Sequence, residues 1–480
     1  MGMDTALPVS GPDPLALLPE AILLAGAIAA LLTGAFVPRR ALWTTRLIAA
    51  AALVASAAAA ATALAEPARS VYGGSYTLDA GTGTVRIVVA IAALMVLALG
   101  GDEIAGTERE SETCALILLA ALGSVVLAGT SDLLVLAVAF LLASIPLYAL
   151  IGLTRSKAAA EAALKTYLLG ALTGISLLLG ATLLYGLAGT TLYADLHQSL
   201  AGAPAPVLAV GAVGVLAGLL FKAGAVPAHF WVPDAAQGAS VTGAAFATTV
   251  PKIGGLLAAF RLLESLPPTL AWPLLVGIVA AATMTLGNLA AYTQTDPRRL
   301  LGWSTVSQSG YLLMPVAVAQ TAPLALPALL VYLTGYALSN LAAFAVVASC
   351  PDRADLAAYA GLSAARPWRA AALVTALLSL VGTPPTAVFL GKLTVFTAAW
   401  DGGLWWLTAL AAANTVISLF YYLRWIGPAF RAASPATPGA GAFPAKPWAS
   451  ATAVAGAAAL LAVGIGAGLV WAAVQGAPHA

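Results

Sequence analysis

Residues Pro206 to Asp234 read PVLAVGAVGVLAGLLFKAGAVPAHFWVPD. The first part, 206–226, is an apolar run of spanning length, because a hydrocarbon core of about 30 Å takes roughly 20 helical residues. Inside that run lies Lys222, and directly behind it come Gly224, Pro227 and Pro233. Glycine and proline in such succession end a helix. At membrane depth, non-helical backbone is tolerated only where it is buried in protein or lines a hydrated cavity, and such breaks commonly mark ion sites. The pattern returns at Gly382, Pro384 and Pro385, just before Lys392. Two amines at two helix breaks favour a functional path for ions over chance placement.

Composition supports a membrane setting for both breaks. Lys+Arg 21 and Asp+Glu 19 make up 8% of the 480 residues, where a soluble domain carries roughly a quarter. With 61% hydrophobic residues and a mean hydropathy of +0.96, most of the chain must be surrounded by lipid. Only helices and closed barrels satisfy their backbone there, and runs this long mean helices. The net charge of +2, without any Lys/Arg-rich run, argues against nucleic acid as a partner. Cys114 and Cys350 match no metal spacing and are expected to be packing residues rather than a disulfide. Met1 to Glu20 holds Asp4, Asp13 and Glu20 but no basic residue, so it lacks the positive start of a cleavable signal peptide, and the first span is expected to be retained.

The apolar runs predict an all-α polytopic membrane protein of about 14 transmembrane helices. Lys222 falls in the seventh span and Lys392 in the twelfth, five apart. That offset is the one expected of two five-helix repeats, 113–263 (helices 4–8) and 272–427 (helices 9–13). Helices 1–3 precede them in 1–112, and a loop with the last helix follows in 428–480. An odd number of helices per unit forces inverted topology, and inverted repeats with two broken helices typify ion-coupled transporters. The odd-numbered connections hold Arg39, Arg40, Arg109, Arg155, Lys157, Arg298, Arg299, Arg353, Arg366, Arg369, Arg431 and Lys446, whereas the even ones hold little more than Arg69. Because cytoplasmic loops carry the basic excess, both termini are predicted outside the cytoplasm. One odd connection, 101–112, is instead acid-rich, with Asp102, Glu103, Glu108, Glu110 and Glu112.

The arginines fall almost entirely at span ends or in connections, as expected when a charge in the bilayer is costly. The lysines do the opposite. Of six, Lys165, Lys222, Lys252 and Lys392 lie inside apolar runs. A desolvated amine alternates between neutral and charged near neutral pH, which a guanidinium does not, so a series of amines can pass protons. Lys165 and Lys252 stand near the starts of their spans, where snorkelling to the interface is a competing account.

Phe-Lys-Ala-Gly-Ala-Val-Pro-Ala-His-Phe-Trp-Val-Pro-Asp (221–234), followed by Thr-Val-Pro-Lys (249–252), resembles the core signature of the antiporter-like membrane subunits of NADH:quinone oxidoreductase, respiratory complex I. Glu-Ala-Ala-Leu-Lys (161–165), Gly-Asn-Leu (287–289), Arg-Arg-Leu-Leu-Gly-Trp-Ser-Thr-Val (298–306) and Gly-Thr-Pro-Pro-Thr (382–386) extend the likeness in order, over about 110–427. Length and the absence of a long lateral C-terminal helix look most like the subunit N branch. The resemblance implies a proton-translocating subunit of the membrane arm of a quinone-reducing enzyme, coupled to electron transfer in other subunits. No redox centre is expected in this chain, and NADH, flavin, iron–sulfur clusters and quinone are expected on the wider complex. It further implies other membrane-arm subunits and the lipid bilayer as partners, and a multi-pass location in the bacterial cell membrane.

By the same match, Lys222, Lys252, Lys392 and Lys165 are the proton-bearing residues, Pro227, Pro384 and Pro385 mark the helix breaks, and His229 beside the first break is a possible relay. A structural hydrogen bond is an equally good account of that histidine. One departure stands out: the family's fifth helix carries a glutamate that pairs with the Lys222 position, and here that site is Leu141, in Leu-Leu-Ala-Ser-Ile-Pro-Leu-Tyr (141–148). Asp132 lies nine residues earlier, about 13 Å along a helix, too far to substitute. A largely structural, non-pumping subunit therefore stays open as an alternative, as does a subunit of a related cation/proton antiporter or membrane hydrogenase. Glu161, one turn before Lys165, is as much a surface i,i+4 partner as a relay. Glu20 is expected at the interface, and Trp368, Trp400, Trp405, Trp406, Trp425 and Trp448 in an aromatic belt.

Overall fold

The computed structural model describes residues 8–432, 443–468 and Trp471. Asp4, part of the C-terminal connection and the end of the chain lie outside the described residues. In chain order the α-helices among the described residues begin with α1 (Leu18–Phe36), α2 (Trp43–Ala63), α3 (Ala80–Leu99), the single turn α4 (Gly101–Ile104), α5 (Glu110–Gly129) and α6 (Leu133–Gly152). Next come α7 (Lys157–Ala188), the short α8 (Tyr193–Ser199), α9 (Ala205–Ala223), α10 (Trp231–Gly238), α11 (Val241–Ser265), α12 (Trp272–Tyr292) and α13 (Pro297–Ala317). The last are α14 (Ala325–Ser349), the single turn α15 (Leu362–Ala365), α16 (Pro367–Val381), α17 (Ala387–Asp401), α18 (Trp405–Ala429) and α19 (Pro447–Ile465).

Twelve of these helices are long and apolar enough to cross a membrane. Two further crossings are α13, of spanning length but rich in polar residues, and the half-helices α16 and α17 on either side of the second break. The count of about fourteen therefore stands, with discontinuities in the seventh and twelfth crossings. Both fall where glycine permits them. Gly224 (φ 68°) ends α9 and Gly382 (φ 92°) ends α16, each in the left-handed region that closes a helix without strain only for glycine. Helix starts are also written locally: Asp132, Ser156, Ser240 and Asp296 cap α6, α7, α11 and α13 through their side-chain oxygens. Asp132 is thus committed to the α6 N-terminus, 2.7 Å from the Leu134 N–H and 2.9 Å from that of Val135.

α11 is the central helix, its most apolar window wholly buried, with α14 nearly as enclosed. The outer helices present large apolar side chains outward, among them Leu172, Ile175 and Leu179 of α7 and Val416 and Phe420 of α18. Such a surface is stable in hydrocarbon and not in water. Cys114 and Cys350 are both buried and free, as expected.

Three expectations change. Glu20 is not interfacial but buried, bonded to Arg86 (2.8 and 2.9 Å) and to the Tyr76 hydroxyl (2.7 Å). Tyr76 comes from the antiparallel hairpin β1 (Arg69–Val71) and β2 (Tyr76–Leu78) between α2 and α3. Arg86 and Arg369 are likewise buried, so the arginines do not all sit at water; each is held by a carboxylate or by carbonyl oxygens. Of the tryptophans, Trp368, Trp400, Trp405 and Trp448 are exposed as a belt requires, but Trp425 is fully buried, edge-on to Tyr359 at 5.3 Å.

The acid-rich connection 101–112 finds its explanation in helix ends. Glu103 accepts from the Val241 and Thr242 N–H groups (3.0 and 2.9 Å) at the start of α11, and Asp102 accepts from Ala449 N–H (3.0 Å) at the start of α19. Glu110 pairs with Arg46. Carboxylates at helix N-termini complement both the free N–H groups and the dipole. On the opposite side of α11, Arg261 donates to Asp79 (2.7 Å), the α3 cap; burial pushes the Asp79 carboxyl up, and Arg261 more than reverses this, holding it below the ordinary carboxylate value. Replacing Glu103 with Ala is expected to cost about 1 kcal/mol, the usual loss of a helix cap. Thermal unfolding in detergent checks this, with Glu103→Gln expected to retain part of the bonding.

Candidate functional site

Three of the four lysines are brought into the interior, and all three are tied to the two breaks or to α13. Lys222 sits in the last turn of α9 and is 1% exposed. Its amine lies 5.1 Å from the Phe140 ring centre and 6.0 Å from that of Phe221, and it has no hydrogen-bond partner among the described residues. Around the break, the indole of Trp231 donates to Phe221 O (3.2 Å) and Val226 N–H donates to the Thr283 hydroxyl (3.1 Å), so the opened backbone is satisfied by side chains. His229 is 2% exposed between Phe230 and Trp303, with ring centres 4.2 and 5.6 Å away.

Lys252 lies mid-length in α11, 2% exposed, and does not snorkel. It donates to the Ser309 hydroxyl (2.9 Å) and to Thr305 O (3.2 Å), with its amine 4.8 Å over the Tyr336 ring. Beside it a side chain from another helix bridges one turn of the backbone: Ser124 from α5 donates to Val250 O (2.9 Å) and accepts from Gly254 N–H (3.2 Å). Lys392, in the second half-helix α17, reaches back to Val381 O at the end of α16 (2.8 Å) and to the Thr415 hydroxyl (3.1 Å). The Tyr311 ring lies 4.2 Å beneath its amine.

The Lys392 amine therefore belongs to the carbonyl end of the first half of its broken helix, whereas Lys222 stands in the last turn of α9 with its amine against aromatic rings. Unsatisfied carbonyls and the negative end of the helix dipole favour a cation at such a place. The lysines themselves stand on different halves, Lys222 before its break and Lys392 after.

What joins the three is α13, of which the sequence match at 298–306 covers the first half but not Ser307, Gln308 or Ser309. α13 carries Ser304, Thr305, Ser307, Gln308, Ser309 and Tyr311, all buried. Ser309 takes a bond from Lys252 and donates to Ala223 O (2.5 Å), the residue after Lys222. Gln308 accepts from the Tyr332 hydroxyl (2.6 Å) and donates to Leu380 O (2.9 Å), the residue before the carbonyl that holds Lys392. Tyr311 shares Thr415 with Lys392. The signal that would have found it is the run Ser-Thr-Val-Ser-Gln-Ser (304–309) inside a span, since intramembrane polar residues are rarely idle.

Lys165 stays outside this interior. Its side chain is 45% exposed and pairs with Glu161 (2.7 Å) and with Asp234 (2.8 Å), which also takes Arg299 (2.8 Å). Glu161, at 66% exposed, is thus the i,i+4 surface partner. Leu141 points outward from α6, 45% exposed, while its neighbour Phe140 covers Lys222. Among the described residues, no group of three or more His, Cys, Asp or Glu side chains could hold a metal ion.

Two discontinuous helices, a buried lysine beside each break and a polar helix between them define an antiporter-like membrane subunit. Residues 130–418 match the family model described as NADH:quinone oxidoreductase/Mrp antiporter, transmembrane. The chain is 54% identical over 458 residues to NADH-quinone oxidoreductase subunit N of Mycobacterium sp. (strain JLS), covering 95% of this chain and 97% of that one. It is 53% identical over 460 residues to NADH-quinone oxidoreductase subunit N 1 of Streptomyces griseus, at the same coverage. Among solved structures, a chain of respiratory complex I from Thermus thermophilus with bound aureothin superposes with a TM-score of 0.82 and 33% identity, over 96% of this chain and all of that one. The chain belongs to the NADH:quinone oxidoreductase/Mrp antiporter transmembrane family, and within it to the subunit N branch. It is an antiporter-like, proton-translocating subunit of the membrane arm of complex I, where it works beside other subunits.

Proposed function

We propose that protons pass through this subunit along Lys222, Lys252 and Lys392, with Lys165 at the outer edge of the path and His229 as a relay beside the first break. The observation that carries this is α13: a single helix whose Ser309, Gln308 and Tyr311 contact the surroundings of all three buried amines. An amine in a dry interior exchanges its proton readily because burial disfavours the charged form, while helix-end carbonyls and hydroxyls favour it. Hydroxyls such as Ser309 and Thr415 accept and donate at once, and so can hand a proton on. The redox chemistry, with NADH, flavin, iron–sulfur clusters and quinone, belongs to other subunits.

The two breaks five crossings apart support a division into the repeats 113–263 and 272–427 in inverted topology. The basic excess on the odd connections supports both termini facing away from the cytoplasm across a bacterial cell membrane. A structural, non-pumping role is the second reading, favoured by the absence of an acid partner for Lys222 among the described residues. The test is proton uptake by inverted membrane vesicles during NADH oxidation. Lys392→Ala and Lys252→Ala are each expected to lower the ratio of protons moved to NADH oxidised at matched assembly of the complex. An unchanged ratio in both variants would establish the structural role.

A further inference from the structure

We propose that Asp234 is a positioning residue for proton translocation, the hub through which the exposed Lys165 is joined to the segment behind the first helix break and to α13. The proposal rests on the translocation reading above. Among the described residues, the ion pairs made by lysine are Lys165–Glu161 and Lys165–Asp234, and the three buried amines have no carboxylate partner. Of the lysines around the first break, Lys165 therefore has carboxylates to exchange between and Lys222 has none among the described residues.

Asp234 stands on α10, which starts directly after the break that holds His229. One carboxylate oxygen takes Lys165 of α7 (2.8 Å) and the other takes Arg299 of α13 (2.8 Å). α10 packs closely on both neighbours: on the α7 side a Cβ on Gly238 would come within 2.6 Å of Ala158 O, and on the α13 side the backbone is bonded as well. Arg298 Nε donates to Ala236 O (2.9 Å), its Nη2 donates to Ala239 O, and a Cβ on Gly302 would come within 2.8 Å of Pro233 Cα, so the two backbones touch. Four charges result in a row: Glu161, Lys165, Asp234 and Arg299. Lys165 has two carboxylates for one amine, and Asp234 has two cations for one carboxylate. Partly exposed pairs of this kind are weak singly and exchange easily.

Exposure is 66% at Glu161, 45% at Lys165, 19% at Asp234 and 31% at Arg299, so Asp234 is the most enclosed of the four. An anionic group of an adjoining membrane-arm subunit would meet Lys165 first and draw its amine from Asp234. The carboxylate then rests on Arg299 alone, and α10 loses its ionic tie to α7 while its backbone contact with α7 at Gly238 and its bonds to α13 remain. Since α10 is continuous with the break, the change arrives at His229 and Lys222 as a shift of backbone. Asp234 moves no proton itself; it sets where the break sits.

The test uses assembled complex in inverted vesicles with Asp234→Asn, Asp234→Glu and Lys165→Gln, reading the ratio of protons taken up to NADH oxidised together with assembly. Asp234→Asn is expected to lower that ratio at undiminished NADH oxidation and assembly, Lys165→Gln to lower the ratio as well, the double variant to lower it no further than either single one, and Asp234→Glu to keep it. An unchanged ratio in Asp234→Asn, or a fall that merely follows lost assembly, overturns the proposal. Lys222→Ala separates the two readings. If it lowers the ratio while Asp234→Asn does not, the hub fails and translocation stands; if neither does, the buried path itself fails.

Discussion

Lys222→Met is expected to lower proton translocation sharply while leaving the protein at least as stable as before. These two effects have opposite signs because of where the amine sits. It is 1% exposed, without a hydrogen bond among the described residues, between the faces of Phe140 and Phe221. Ring faces attract a cation by about 1–2 kcal/mol, less than a charge deep in a bilayer costs, on the order of 3 kcal/mol by insertion scales. Methionine fills the same volume with an adaptable apolar chain and removes that cost. A structural lysine, replaced, would lower stability; a functional one, replaced, lowers activity alone. Proton uptake in inverted vesicles and thermal unfolding of the purified complex, measured on one preparation, read both signs. A variant that pumps normally would sink the role of Lys222, whatever its stability.

Leu141→Glu is the contrasting case. On family resemblance alone it would supply the missing partner and strengthen pumping. The outward direction of residue 141, with Phe140 between it and the interior, predicts instead that a carboxylate there meets lipid or a neighbouring subunit. Lys222→Met should therefore have the same effect with or without Leu141→Glu. A variant pair that departs from this independence would show that α6 turns in the assembled complex.

The spans were legible because lipid leaves a chain few options: an apolar run of about 20 residues must be a helix. The breaks were legible because glycine and proline act on their own backbone, so Gly224 and Gly382 announce them without knowledge of any neighbour. Rarity made the lysines legible. What stayed hidden depended on contact between distant segments. Ser124 bonds to the α11 backbone from 130 residues away, and Gln308 reaches Leu380 O from 72. Nothing in Ser-Thr-Val-Ser-Gln-Ser says which lysines it will face. Asp234 lies inside the most recognisable motif of the chain, yet its partners Lys165 and Arg299 are 69 and 65 residues away, so its pairing depends on the fold.

Glu20 shows the same limit and carries the largest expected effect on stability. Alone in sequence it is an acid at a helix start, where water or the dipole would hold it. In the fold it is the only carboxylate among the described residues within ion-pair distance of Arg86, with both its oxygens accepting from that guanidinium (2.8 and 2.9 Å) and one also from Tyr76 (2.7 Å). Arg86 Nη2 further donates to Ala16 O (2.9 Å), so four polar groups from α1, α3, the hairpin and the residues before α1 close on one another. Glu20→Leu leaves the guanidinium buried and uncompensated, and arginine keeps its charge under any accessible condition. The expected loss is about 3–5 kcal/mol, as for other buried pairs broken on one side. That is enough to loosen α1 to α3 from the rest of the bundle, and it should be read as reduced assembly and a lower unfolding temperature. Removing both charges in Glu20→Leu with Arg86→Met is expected to recover most of the loss, because apolar packing replaces a buried pair at little or no net cost. A double variant as unstable as the single one would mean that the hydrogen bonds to Tyr76 and Ala16, rather than charge compensation, hold the three helices together.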